Sequence, residues 1–215
     1  MRIFVTGGAG FIGTHLCKKL SLIHKVTVYD NFSNSNKKNF PILKNLTLIV
    51  GDILDNSKLV NSMKNHDIVI HLAAKTDVID SINNPENTFQ TNVQGTQNII
   101  DSCKSHNISK IIVTSSASVY QSSDKSISET NTTKPSSPYG QSKLSMEKIT
   151  TESKINYSIL RLFNVYGTGQ SSGVIAKFKK NISENIPITI FGDGEAIRDF
   201  IHIDDIVDGI ILSMK

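Results

Sequence analysis

The sequence predicts an α/β protein: a doubly wound parallel sheet of the Rossmann kind, followed by the start of a smaller, C-terminally truncated substrate domain. Three observations carry this. Apolar runs of strand length alternate with longer segments of helical period, the runs lack polar alternation, and a glycine-rich turn joins the first run to the first helical segment. Strands covered by helices on both faces read as continuous apolar runs, and repeated β-α-β units wind into one open sheet.

Strands are expected at 3–6, 26–30, 46–50, 68–72, 111–114 and 158–163, with helices at 11–22, 57–64, 85–106 and 139–154 between them. The Asn- and Ser-rich stretches 31–39 and 122–137 read as surface loops. The second ends in Pro135 and Pro138, and loops of that length are more common at active sites than elsewhere. After Gly167 the rhythm changes to a helix at 171–185, a short strand at 188–191 and a turn at 192–194. Residues 1–166 are therefore assigned to the Rossmann domain and 167–215 to a partial second domain, with some elements interleaved. The final residues, Ile210 to Lys215, continue an apolar helical pattern without a Gly or Asn cap. Part of the burial that this pattern demands is expected to come from chain beyond it.

A chain of 215 residues holds one substantial core, or one domain and the beginning of a second. Its hydrophobic fraction of 38% and charged fraction of 20% are ordinary for a soluble protein. The net charge of +4 is dispersed: the densest basic pairs, Lys18-Lys19, Lys37-Lys38 and Lys179-Lys180, lie far apart, with no Arg-rich run. That argues against nucleic acid as a partner and suits anionic small molecules. Cys17 and Cys103 match neither a metal spacing nor a disulfide framework, so they read as buried apolar residues and no metal is expected. No signal peptide precedes the first strand and no apolar run reaches membrane-spanning length, so a cytoplasmic protein without a membrane partner is expected.

Gly7-Gly8-Ala9-Gly10-Phe11-Ile12-Gly13 spaces its glycines as G-x-x-G-x-x-G between strand and helix. Such glycines let the backbone turn tightly and approach a pyrophosphate, which then faces the N–H groups of the helix start. A purely steric turn would use glycine too, but Asp30 follows at the end of the next strand. A carboxylate there accepts from ribose hydroxyls and repels a 2′-phosphate, which favours NAD over NADP. Gly51-Asp52-Ile53 suits an adenine pocket, although Asp52 alone reads equally well as a turn residue.

Tyr139 and Lys143 stand at i and i+4 at the start of a helix, on one face. A fixed ammonium beside a phenol favours the phenolate, and the pair can then act as a base towards a hydroxyl. Val113 through Tyr120 places serine hydroxyls at the carboxyl edge of the sheet, where open α/β folds bind ligands.

With these motifs the sequence resembles the extended short-chain dehydrogenase/reductases, and within them the NAD-dependent nucleotide-sugar epimerases. The likeness covers essentially the whole chain, including His71-Leu72-Ala73-Ala74, Asn92 to Thr96, Arg161 to Gly167 and Gly192 to Phe200. It implies a base at Tyr139, its lysine at Lys143 and a hydrogen-bonding hydroxyl at Ser116. It also implies NAD contacts at Gly7, Gly10, Phe11 and Ile12; at Asp30, Asn31, Phe32, Ser33, Asn34 and Ser35; and at Asp52 and Ile53. Further contacts fall on Leu72, Ala73, Ala74, Lys75 and Thr76, on Asn92 and Phe163, and on Tyr139 and Lys143 themselves. Ser116, Asn164 and Arg198 match positions that meet the nucleotide sugar, and an arginine fork pairs well with a diphosphate.

Dehydratases and decarboxylases of this family carry an acidic residue just after the strand-five hydroxyl. Here Ala117 and Ser118 follow Ser116, which favours epimerisation through a 4-keto sugar. The alternatives are a dehydratase or decarboxylase, or an NAD-binding module without turnover. The resemblance further implies a homodimer, through the helices at 85–106 and 139–154, acting on a nucleotide sugar, in first place a UDP-sugar.

Overall fold

The computed structural model describes every residue except Lys38, Asn39, Asp124 and Phe191. It begins with strand β1 (Arg2–Thr6), helix α1 (Phe11–Leu20), β2 (Lys25–Asp30), β3 (Leu46–Val50), α2 (Asn56–Met63) and β4 (Ile68–His71). There follow α3 (Val78–Asn83), α4 (Pro85–Phe89), a π-helical turn (Gln90–Gln94) and α5 (Gly95–Ser105). β5 (Lys110–Ser116) leads through a 3₁₀ turn (Ala117–Val119) to α6 (Pro138–Glu152) and β6 (Tyr157–Leu162). The chain continues with β7 (Asn164–Tyr166), α7 (Val174–Ser183), β8 (Phe200–His202) and α8 (Ile203–Leu212).

Six strands pair in the order β3-β2-β1-β4-β5-β6, all parallel. Strand alternation explains why the runs are apolar throughout. On β1, Ile3 and Val5 join Leu16, Cys17 and Leu20 of α1 on one face, while Phe4 joins Leu59, Met63, Ile99, Cys103 and Met146 on the other. The order reverses between β1 and β4, and that switch point brings the turn after β1 next to the loop after β4. All six sheet strands and the four long helices expected from sequence are present, with ends shifted by a few residues.

Three differences have physical causes. The helix expected over 85–106 is interrupted by the π-helical turn, a local widening common at functional sites. The strand expected at 188–191 is absent from 188–190, and Phe191 lies outside the described residues. Ile188 and Ile190 are 41% and 62% exposed, and no neighbouring strand takes up their backbone groups among the described residues. The loop at 31–39 carries no strand where described, and its Lys38 and Asn39 are outside the description.

The third concerns the C-terminal apolar pattern. Ile203, Ile206, Val207, Ile210 and Met214 are buried within this chain, against α1 and the sheet. The burial expected from elsewhere is thus largely supplied here, about 1.5–3 kcal/mol for each large apolar side chain. Only Phe200 and Leu212 stay well exposed. β7, which ends at Tyr166, and β8 form a separate two-stranded parallel sheet, while α8 joins the core of the six-stranded one.

Both cysteines are free and fully buried, and burial pushes their thiols up, Cys103 to about 12. No helix among the described residues is long and apolar enough to cross a membrane.

Candidate active site

The glycine turn is dictated by space. Gly7 has φ +68°, and a Cβ there would lie 2.5 Å from the amide nitrogen of Ala73. At Gly13 a Cβ would lie 2.4 Å from the Gly7 carbonyl oxygen and 2.5 Å from the Gly8 Cα, so only glycine lets α1 sit this close to the turn. Gly10 is the N-cap of α1 and offers no side-chain cap, so Phe11 and Ile12 start the helix with their N–H groups directed out of it. A Cβ on Gly10 would lie 3.3 Å from the Gly7 carbonyl oxygen, a tight contact with backbone that glycine avoids.

Asp30, at the end of β2, accepts from Ala9 N–H (2.9 Å) and Phe32 N–H (2.8 Å), so one carboxylate fixes both the glycine turn and the loop after β2. Its oxygens retain further lone pairs for a ribose. Asn31 Nδ2 donates to Asp52 Oδ2 (2.9 Å), and Asn31 Oδ1 accepts from Ser33 N–H. Asp52 also accepts from Leu54 N–H, and Ile53 is buried beside Gly95. The Ser35 hydroxyl is buried without a hydrogen-bond partner among the described residues. Asn34 stands beside it in the same turn.

The loop after β4 is held from two sides. Asn92, in the π-helical turn, accepts from Lys75 N–H (2.8 Å) and donates to the Lys75 carbonyl (3.0 Å) and to Ser142 Oγ (2.9 Å). The side chain expected to touch cofactor is therefore occupied in tying the Leu72, Ala73, Ala74, Lys75 and Thr76 segment to α6. On the other side, the fully buried His71 lies between Thr6 Oγ1 (2.7 Å from Nδ1) and Thr96 Oγ1 (3.1 Å from Nε2). Thr96 gives its only proton to the Asn92 carbonyl (2.5 Å), so it accepts from Nε2–H. Nδ1 is then the acceptor, Thr6 donates to it, and Thr6 Oγ1 is left to accept from Ala73 N–H (3.4 Å). Burial lowers His71 to about 3, consistent with this neutral tautomer.

Ser137 caps α6 by accepting from Gly140 N–H (3.1 Å), and Pro138 occupies the first turn. A Cβ on Gly140 would lie 2.4 Å from the Ser118 carbonyl, so glycine brings the start of α6 against the 3₁₀ turn after Ser116. Tyr139 and Lys143 are 8% and 2% exposed. Burial pushes the Tyr139 phenol up, and the Ser116 hydroxyl, whose Oγ accepts from Ser118 N–H (3.1 Å), draws it back. The Lys143 ammonium donates to the Thr114 carbonyl (3.0 Å) and stands 6.0 Å from the Tyr139 ring centroid. Burial lowers it to about 8, opposed by Glu147. Burial is the larger influence on the phenol, and Ser116 draws it down; Lys143 follows one turn later on the same helix.

Sequence reasoning did not single out Arg161 or Glu147. Arg161 of β6 forks onto Glu147 of α6 (Nε to Oε1 2.9 Å, Nη2 to Oε2 2.7 Å) and donates to Tyr120 OH (3.0 Å). The signals were the run Arg161 to Gly167, which gave Arg161 no role, and the i+4 spacing of Glu147 from Lys143.

Asn164 opens β7 and donates to the Asp199 carbonyl (2.8 Å). Since Asn164 pairs with Phe200, Arg198 lies two residues before its partner, exposed, with Nη1 on the Ile197 carbonyl. Phe163 links β6 to β7 at the same sheet edge.

Residues 3–215 match the model of the NAD dependent epimerase/dehydratase family. The chain belongs to this family. A UDP-glucose 4-epimerase from Yersinia pestis is 33% identical over 249 residues, covering 100% of this chain and 73% of the relative. The solved UDP-N-acetylglucosamine 4-epimerase from Methanobrevibacter ruminantium M1, in complex with UDP-N-acetylmuramic acid, superposes with TM-score 0.92 at 35% identity, over 99% of this chain and 72% of that one. A double mutant of a dTDP-glucose 4,6-dehydratase from Streptomyces venezuelae, with NAD bound, gives TM-score 0.95 at 30% identity, over 100% and 72%.

The residues of this epimerase/dehydratase chain fit the family's dinucleotide. The start of α1, without a side-chain cap, suits a pyrophosphate, Asp30 a ribose diol, and the Ser35 hydroxyl, unpaired among the described residues, a further polar contact. NAD is accordingly expected to bind about tenfold or more tighter than NADP, equal to about 1.4 kcal/mol, because Asp30 would face the 2′-phosphate. Calorimetric titration of both cofactors into the parent and an Asp30→Ala variant checks it. The variant should narrow the gap, and equal affinities in the parent would remove Asp30 from this role.

Proposed function

We propose that this chain carries the NAD-binding and proton-transfer core of a nucleotide-sugar 4-epimerase acting on UDP-sugars. The observation that carries the reading is the grouping of buried Tyr139 and Lys143 at the start of α6 with Ser116 at the end of β5, Lys143 anchored on the Thr114 carbonyl, with Ala117 and Ser118 following. The similarity to UDP-sugar 4-epimerases supports it.

Tyr139, as the phenolate, takes the proton of the sugar 4-hydroxyl, and Ser116 lowers the cost of the negative charge that the phenol oxygen carries before it does so. Lys143 holds a fixed positive charge behind the phenol, anchored by the Thr114 carbonyl. Bound NAD supplies a hydride acceptor that can return the hydride. Tyr139 gives its proton back once the keto sugar has presented its other face, so the protein ends each cycle unchanged. Asn164 and Arg198 hold the diphosphate, Arg198 turning from the Ile197 carbonyl to do so.

The likeness to the dehydratase favours a second reading, elimination. Elimination needs an acid beside the strand-five hydroxyl, and Ala117 and Ser118 provide none. A coupled assay for UDP-glucose/UDP-galactose interconversion separates these: epimerisation is expected. A 6-deoxy-4-keto product would move the chain to the dehydratases, and NAD binding without turnover would make it a binding module. The same reading takes the protein as cytoplasmic and as a homodimer paired through α5 and α6, which pack side by side.

A further inference from the structure

Glu147 has two cations within its reach. It lies one turn after Lys143 on α6, the spacing at which a helical lysine and glutamate ordinarily pair. Yet both carboxylate oxygens are taken by the Arg161 fork, with Glu147 6% exposed. Lys143 keeps its ammonium on the Thr114 carbonyl, and no ion pair of 4.0 Å or less joins it to a carboxylate among the described residues. Arg161 does more than pair. Its guanidinium carbon stands 4.8 Å above the Tyr120 ring, and Nη1 reaches Tyr120 OH and the Glu129 carbonyl (3.4 Å). Tyr120 directly follows the 3₁₀ turn that starts at Ser116. One side chain thus joins the helix of Tyr139 and Lys143, the strand end of Ser116, and the loop running from Gln121 to Thr132.

We propose that Arg161 is a positioning residue of this site: by holding Glu147 away from Lys143 it keeps the ammonium on the Thr114 carbonyl, and by holding Tyr120 it keeps the turn after Ser116 against the start of α6. The inference deepens the proposed function and rests on it only for its kinetic arm. Removing the guanidinium strands a buried carboxylate, and a stranded buried charge is far costlier than the loss of both partners together. Glu147 then turns to Lys143 and pulls Nζ from its anchor. The groups bearing on Lys143 are Glu147 and Tyr139 on its own helix, His71 of β4 and, behind Glu147, Arg161 of β6.

The experiment compares Arg161→Gln, Glu147→Gln and the double variant. Lys143 is titrated by NMR of ε-¹³C-labelled lysine, assigned with Lys143→Met, without cofactor or substrate; turnover and NAD affinity are measured beside it. Arg161→Gln should raise the Lys143 titration midpoint, since Glu147 then acts on it unopposed, and Glu147→Gln should lower it. Turnover in Arg161→Gln should fall about 10²-fold, the cost of a misplaced reacting group, with NAD affinity retained. The double variant should recover most of that loss. A midpoint indifferent to Arg161, or single and double variants equally impaired in step with their folded fraction, would overturn the proposal. Where Arg161→Gln fails to fold, Arg161→Lys takes its place, since a point charge cannot fork onto a carboxylate. The lysine titration needs no turnover, so a chain that fails the epimerase assay still decides this question.

Discussion

Tyr139→Phe is expected to lower turnover about 10²–10⁴-fold, the usual contribution of a positioned acid–base group, while NAD affinity stays near that of the parent. The change removes one oxygen from a side chain that is already 8% exposed, so the ring still fills its place. Ser116 Oγ keeps its hydrogen bond from Ser118 N–H, and Ser142 still donates to the Tyr139 carbonyl, so neither the 3₁₀ turn nor the start of α6 loses its ties. Steady-state kinetics with UDP-glucose, together with a cofactor titration, reads both quantities. Turnover that survives in the phenylalanine protein places the base elsewhere. A parallel loss of NAD affinity would show that the phenol serves mainly to build the cofactor site.

Gly13→Ala should be nearly as damaging, by another route. The added methyl would press on the Gly7 carbonyl and the Gly8 backbone, neither of which can swing aside as a side chain does. Helix α1 must retreat, carrying Leu16, Cys17 and Leu20 out of register with the sheet. The overpacking costs about 1–3 kcal/mol or more, and the start of the helix withdraws from the pyrophosphate it would meet. Gly209→Ala is the control: its Cβ would touch nothing within 4 Å in the middle of α8, and alanine there should stabilise by about 0.5–1 kcal/mol. Thermal melts with and without NAD check the pair. A Gly13→Ala protein that melts and binds like the parent would show that the turn yields.

The contrast between those glycines marks what was legible in the sequence. The sheet was readable because β1, β2, β4 and β5 bury both faces, so their apolar runs carry no competing period. The candidate site's groups could be named from sequence because Gly7, Gly13, Tyr139 and Lys143 stand at fixed spacings near strand and helix ends. Less visible was whatever depends on partners far along the chain. The three-residue strands β7 and β8 are too short for a period to show, and they exist only through each other. The isoleucines at 188 and 190 mimic a strand yet find no neighbour to pair with. Asn92 looks like a ligand for cofactor, but its amide is used by Lys75 and Ser142, which lie 17 and 50 positions away. Arg161 and Glu147 are ordinary charges until β6 and α6 pack together.

Helix α8 carries a consequence for how such a chain comes into being. Ile3 and Val5 leave the ribosome first, yet the face they present is finished by Ile206, Val207 and Ile210 from the far end of the sequence. At translation rates of about 5–20 residues per second, that gap lasts roughly 10–40 s. Through this interval α1 covers only part of that face, and the rest stays open until α8 arrives. The last step in folding the nucleotide-binding half therefore waits for α8, and until then the unfinished sheet face is exposed to aggregation.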